Sequence, residues 1–204
     1  MYIPEIYKNE NKEEIQNFIH ENGFAILVNQ TNNKLWATHI PLVLEINEKN
    51  QLQLIGHVSK LNPQGESFKT NDDVLAIFTG PHSYISSSWY DHENVPTWNY
   101  IAVHVYGKVT LLSYDESVAS LKNLVDKYES NSENPIRVED LSEKTMREAR
   151  GITGFKITIT SIEATKKLSQ NRDAKNYQNI ISELEKTNEN QSIAIANEMK
   201  KCPM

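Results

Sequence analysis

Two short stretches concentrate groups able to hold an anion. One is Ser59-Lys60, which follows His57 where an extended run ends; the other is Lys167-Leu168-Ser169-Gln170-Asn171-Arg172, with two cations, one hydroxyl and two side-chain amides in six residues. A dianionic phosphate needs cations and several hydrogen-bond donors around it, and both stretches offer them. Each also has a plainer reading: Lys60 as a solvated lysine, and residues 167–172 as the polar lead-in to a helix. No glycine-rich phosphate loop occurs, neither G-x-G-x-x-G nor G-x-x-x-x-G-K-[ST], so side chains would have to hold a phosphate. Between these stretches lies an unusual density of rings: His82, Tyr84, Trp89, Tyr90, His92 and Trp98, with Ser86, Ser87, Ser88 and Asp91 among them. Rings in such number either fill a core or interface, or stack against a planar molecule.

Other chemistry is disfavoured by spacing. His82, His92 and His104 with Asp91 or Glu93 are candidate metal ligands, yet there is no H-E-x-x-H and no cysteine pair. The serines at 86–88 near His82 and His92 lack a G-x-S-x-G elbow. Cys202 is the single cysteine, which excludes an intrachain disulfide and a dithiol redox centre. Redox chemistry would therefore come from a bound cofactor.

These residues need elements to position them. Val74–Phe78 is a short apolar run bounded by Asp72-Asp73 and Gly80-Pro81 and reads as a buried strand, with the ring-rich segment as the loop behind it. From Trp98 to Gly107 the chain alternates. Ile101, Val103 and Val105 point to a core, and Tyr100, Ala102, His104 and Tyr106 point the other way. Upstream, Lys12–Glu21 has helical spacing and stops at Asn22-Gly23. Phe24–Val28, Leu35–Ile46 and Gln51–His57 read as three strands of a meander, with a bulge, bend or edge at Pro41. Ser59 to Pro63 opens a short helix or loop. Ser113 with Glu116 forms a capping box, and Val118, Leu121, Val125 and Tyr128 share one face of the helix behind it. Val138–Ala149 reads as another helix and Phe155–Ile162 as a sixth strand. Ala174–Lys186 and Ser192–Lys200 are amphipathic helices. Six strands with inserted and appended helices point to a small, mostly antiparallel barrel of the α+β class.

The totals agree with a soluble fold. The chain has 204 residues, 38% hydrophobic and 24% charged, with a net charge of −6. That balance argues against a surface given over to phosphate backbone. No apolar run approaches the ~20 residues that span a bilayer, and no basic-then-apolar leader follows Met1. A cytoplasmic protein without a membrane partner is the expectation.

Six stretches taken together resemble the PaiB family, FMN-binding negative transcriptional regulators of bacteria. They are Met1-Tyr2-Ile3-Pro4, Ala37-Thr38-His39-Ile40-Pro41-Leu42, residues 56–64 (GHVSKLNPQ), residues 77–86 (IFTGPHSYIS), Val95-Pro96-Thr97-Trp98-Asn99-Tyr100 and Lys167-Leu168-Ser169-Gln170-Asn171-Arg172. The resemblance implies an FMN-binding split β-barrel akin to pyridoxamine-phosphate oxidase over residues 1–172, with a C-terminal helical extension over 173–204. It implies a homodimer with FMN in the groove between subunits. Thr38, His39, His57, Ser59 and Lys60 would line one side, with Lys60 on the phosphate. Trp98, Asn99, Lys167, Gln170 and Arg172 would approach from elsewhere, the second subunit included. DNA is the partner that the regulatory label implies, against the acidic balance. The same pocket would equally serve a flavin-dependent oxidoreductase with a nicotinamide donor, and related barrels handle haem. The chain departs from the family pattern at Ser87, commonly proline, at Gly65, commonly aromatic, and at Asn176-Tyr177, commonly Asp-Arg.

Overall fold

The computed structural model describes residues 1–70 and 72–202. Its elements, in chain order, are α1 (Lys12–Glu21), β1 (Phe24–Thr31), β2 (Lys34–Pro41), β3 (Val43–Ile46), β4 (Leu52–Ser59), α2 (Pro63–Ser67), β5 (Asp73–Ile85), β6 (Thr97–Leu111), α3 (Tyr114–Glu129), α4 (Glu143–Met146), β7 (Ile152–Lys167), α5 (Ala174–Lys186) and α6 (Asn190–Lys201), with short 3-10 turns between some of them. The strands form one seven-stranded antiparallel sheet in the order β2-β1-β5-β6-β7-β4-β3. This is the mostly antiparallel α+β class expected from the alternating strands, and the split barrel that the family resemblance implied. Internal packing divides the chain into two compact units, one made of Met1–Phe18, Phe78–His104 and the chain from Glu163 onward, the other of Ile19–Ile77 and Val105–Ile162. No helix among the described residues is long and apolar enough to cross a membrane.

The unit of 19–77 and 105–162 begins with a two-residue hairpin. β1 pairs with β2 from Phe24↔Pro41 to Thr31↔Lys34, and the turn residues Asn32 and Asn33 adopt φ of 51° and 59°. Asparagine tolerates that left-handed region, which matches the twist of the strands it joins. β3 pairs with β4, and β4 with β7, in the register His57↔Gly154 and Ser59↔Ile152. Leu27, Leu42, Leu54, Phe155 and Ile157 are fully buried here, and Phe68 meets Phe155 edge-on at 5.1 Å between ring centroids. α3 starts at the expected capping box, in which Ser113 Oγ accepts from Glu116 N and the Glu116 carboxylate accepts from Ser113 N.

In the other unit the core is built by Ile85, Tyr90, Ile101 and Leu168 together with Tyr177, Ile180, Ile181 and Leu184 of α5 and Ile195, Ala196 and Met199 of α6. α5 and α6 therefore contribute a large part of its apolar interior. Tyr177 donates its hydroxyl to the Met199 carbonyl at 2.8 Å, and burial pushes its pKa up to about 12. Residues 5–7 form a 3-10 turn, Asn9 N donates to the Ala164 carbonyl at 3.0 Å, and Lys8 bridges Thr165 on β7.

Several expectations change. The segment Leu35–Ile46 is two strands rather than one, which raises the count from six to seven. Leu42 N turns to the Gly23 carbonyl at 2.8 Å and its side chain packs where a Cβ on Gly56 would stand, so the chain leaves the β1 ladder and re-enters beside β4. Gly80-Pro81 does not end a strand, because β5 runs on to Ile85. His82 and Tyr84 thus lie on a strand, not in a loop. The span Val138–Ala149 is not one helix. Leu141 N closes a 3-10 turn on Val138 O, and Ser142 Oγ then accepts from Thr145 N to start α4 afresh. On α3, Val118, Leu121 and Val125 are only half-buried and Tyr128 is exposed. The buried residue is Ser117, seated where a Cβ on Gly154 would stand.

Candidate functional site

Ser59 and Lys60 stand at the end of β4 on a tight turn, closed by Asn62 N donating to Ser59 O at 2.9 Å and Lys60 N donating to Gly151 O at 2.8 Å. Ser59 Oγ accepts from Leu61 N at 3.2 Å. Asn62 is the hub of the turn. Its Oδ1 accepts from Gln64 N at 3.0 Å and caps α2, with Pro63 at the first helical position, while its Nδ2 donates to Thr38 Oγ1 at 2.9 Å. A cap of this kind satisfies amides that a helix start leaves open. His39, next on β2, is exposed, with its ring 6.3 Å from that of Phe24. Lys60 is exposed and makes no ion pair with a carboxylate among the described residues. His57 is half-buried beside Pro41, Val43, Glu45 and the α3 residues Ser120 and Leu124, and burial lowers its pKa. Gly65, where the family carries an aromatic, is buried against Val58 and Thr153 rather than turned to solvent.

In the other unit, Lys167 ends β7 and donates to Thr97 Oγ1, with Nζ 5.9 Å from the Tyr7 ring centroid. Burial first, and then the Arg172 charge, lowers its pKa. Arg172 lays its guanidinium over Tyr90 at 5.0 Å. Its Nε and the Tyr90 hydroxyl are buried without a hydrogen-bond partner among the described residues. Neither cation pairs with a carboxylate among those residues. Gln170 spends its amide on its own turn, donating to Lys166 O and accepting from Leu168 N. Ser169, at φ 62°, donates to Oδ1 of fully buried Asn99 at 3.1 Å. Trp98, by contrast, is 53% exposed. Its ring lies 6.1 Å from His82 and 6.0 Å from Tyr84, and together they make an open aromatic surface.

The ring-rich segment thus divides between the two readings that its sequence allowed. Tyr90 and Trp89 join the core, and Trp98, Tyr84 and His82 face outward. Asp91 is bound up with Lys175, His92 and Asn176, which hold its carboxyl well below the usual carboxylate range. Asn176 and Tyr177, the departures from the family pair, serve interior contacts. Ser87 opens a 3-10 turn that Ser86 Oγ caps from Ser88 N, so the turn forms without the family proline. Of the expected site residues, Thr38, His39, His57, Ser59 and Lys60 fall in one unit, and Trp98, Asn99, Lys167, Gln170 and Arg172 in the other. Thr38, Ser59 and Lys60 gather around the Asn62 turn, whereas His57 sits under α3. Asn62, Thr97 and Tyr90 were outside the expected set. Asn62 carried a signal as the residue before Pro63, and Tyr90 as one of the rings between residues 82 and 98.

The donor set fits a phosphorylated flavin: uncompensated cations, a buried guanidinium nitrogen lacking an acceptor, and an open surface of rings. A family model described as "Putative FMN-binding domain" matches residues 1–161. A relative from Bacillus subtilis (strain 168), named protease synthase and sporulation protein PAI 2, is 48% identical over 187 residues, 91% of this chain and 89% of its own. Among solved structures, the FAD and haem binding protein of Mycobacterium smegmatis covers 84% of this chain and 78% of its own at a TM-score of 0.63 and 14% identity. The flavocytochrome Anf3 of Azotobacter vinelandii covers 87% and 78% at a TM-score of 0.64 and 14% identity, a likeness of fold. With its barrel, a match over residues 1–161 and a relative 48% identical over 91% of its length, the chain belongs to the FMN-binding domain family.

Proposed function

We propose that this chain is a cytoplasmic FMN-binding regulator of the PaiB type, working as a homodimer with the flavin in the groove between two copies. The observation that carries this reading is the Lys167–Arg172 turn, with two cations unmatched by carboxylate and Arg172 Nε lacking an acceptor among the described residues. In this reading Ser59 and Lys60 of one copy hold the phosphate, and Thr38, His39 and His57 line the same wall. The second copy presents Trp98 as a ring contact and Lys167 and Arg172 as cations. Asn99 and Gln170 position those cations by fixing Ser169 and its turn. FMN, when bound, supplies reversible electron or hydride transfer, while the chain's residues bind it, orient it and limit its contact with water.

The regulatory part rests on the 48% identity to a relative whose name ties it to protease synthesis and sporulation. The net charge of −6 speaks against a non-specific grip on DNA. Control through a protein partner or a few specific DNA contacts is the form we favour. The test is a titration of the purified protein with FMN, followed by flavin fluorescence quenching, alongside sedimentation equilibrium. Quenching that saturates, and a mass twice the 23.4 kDa of one chain, are expected. Unquenched flavin and a monomer would sink the reading. Steady NADH or NADPH consumption by the loaded protein would move it to the oxidoreductases.

A further inference from the structure

Tyr114, Glu143, Met146, Arg147 and Arg150 line a surface hollow of about 310 Å³ that the proposed function does not use. That volume sits at the lower end of the roughly 300–1,000 Å³ typical of small-molecule sites. Arg147 and Arg150 are three residues apart in the 3-10 turn Arg147–Gly151. Such a turn has three residues per repeat, so both guanidinium groups leave from the same side, while Ala149 is buried and anchors the turn. Both arginines are exposed, and neither forms an ion pair or side-chain hydrogen bond among the described residues. Tyr114 is 48% exposed and gives the hollow an aromatic face.

We propose that this hollow binds an adenosine phosphate group: phosphate on Arg147 and Arg150, adenine against the Tyr114 ring, and the Glu143 carboxylate accepting from the exocyclic amine. Paired guanidinium forks suit phosphate oxygens, and an aromatic ring offers a face on which a base can stack. The hollow is coupled to the proposed flavin phosphate site through backbone. Gly151, next to Arg150, accepts from Lys60 N at 2.8 Å. The turn that carries Lys60 and the turn that carries Arg147 and Arg150 are thus tied by one backbone hydrogen bond, which sets the hollow beside the place proposed for the flavin phosphate. The inference rests on that assignment of Lys60. The adenylate half could belong to FAD itself or to a nicotinamide dinucleotide meeting the FMN-loaded protein.

Calorimetric titrations separate these sources. FMN, FAD and AMP are titrated into the apoprotein, and NADH into the FMN-loaded protein. Each is repeated with Arg147→Ala/Arg150→Ala and with Tyr114→Leu. FAD binding about tenfold tighter than FMN, abolished by the double variant with FMN affinity held, assigns the hollow to the flavin dinucleotide. NADH binding to the loaded protein that the double variant removes, with FAD and FMN equal, assigns it to the nicotinamide dinucleotide. If FMN binds but FAD gains nothing, and neither AMP nor NADH binding responds to the arginines, the inference is overturned and the FMN reading stands. If no flavin binds, both fall.

Discussion

Arg172 covers the Tyr90 ring with its guanidinium and leaves Nε buried without an acceptor among the described residues. A charge-assisted hydrogen bond contributes roughly 1.5–3 kcal/mol, so Arg172→Ala is expected to weaken FMN about 10- to 100-fold in a quenching titration. Arg172→Lys should not restore it, because lysine lacks the planar fork that spans ring and acceptor. His57 gives a pH prediction. Its folded pKa lies below the ordinary value of 6.5, so between the two values the unfolded chain holds a proton that the folded chain does not. Stability is then complete above about pH 6.5 and declines as the pH falls through that window. Thermal melts from pH 7.5 to 5.5 should show the decline, and His57→Gln should lessen it, the remainder coming in part from His104, whose pKa burial also lowers. Lysine and arginine at 60, 167 and 172 could be singled out in the sequence because cations near polar donors advertise themselves. What the sequence hid was the burial of Asn99 and the self-directed amide of Gln170, since both depend on which neighbours the fold supplies.

At the level of elements, Asn62 joins three parts: it caps α2, closes the turn after β4 and donates to Thr38 on β2. Asn62→Ala should cost about 1 kcal/mol as a lost cap, read as a lower urea midpoint. If Ser59 and Lys60 hold the flavin phosphate as proposed, FMN affinity should fall with it, because they lose the turn that aims them. Gly107 on β6 offers a second test, because a Cβ there would meet Ile157 and the Thr158 backbone of β7. Gly107→Ala is expected to destabilise by about 1–3 kcal/mol through overpacking, with urea unfolding as the measurement. The helices were legible where caps and stops agreed with the apolar period. Lys12–Glu21 and Ala174–Lys186 have the bounds read from the pattern. Pattern failed where a residue's role depends on a distant partner. Pro81 lacks an N–H, yet whether a strand needs that N–H depends on the neighbouring strand. Leu42 looks like one apolar residue in a continuous run, and only Gly23 and Gly56 make it a break. Ser142 sits inside a helical period but competes as a cap.

For the molecule as a whole, a ligand that binds only the folded chain stabilises it by mass action, about 2.7 kcal/mol at a free concentration 100 times its Kd. Thermal unfolding should therefore shift upward with added FMN, and the shift should shrink in Arg172→Ala. The two compact units are also interleaved along the chain: each draws on segments from well before residue 78 and from well after residue 104. Ribosomes deliver roughly 5–20 residues per second and ordinarily let an N-terminal domain finish first. Here the strands around Ser59 and Lys60 must wait for β7, and the core around Leu168 must wait for α6. Neither unit can be complete while most of the chain is still being made. A chain cut short before β7 at Ile152 is therefore expected to fold neither unit.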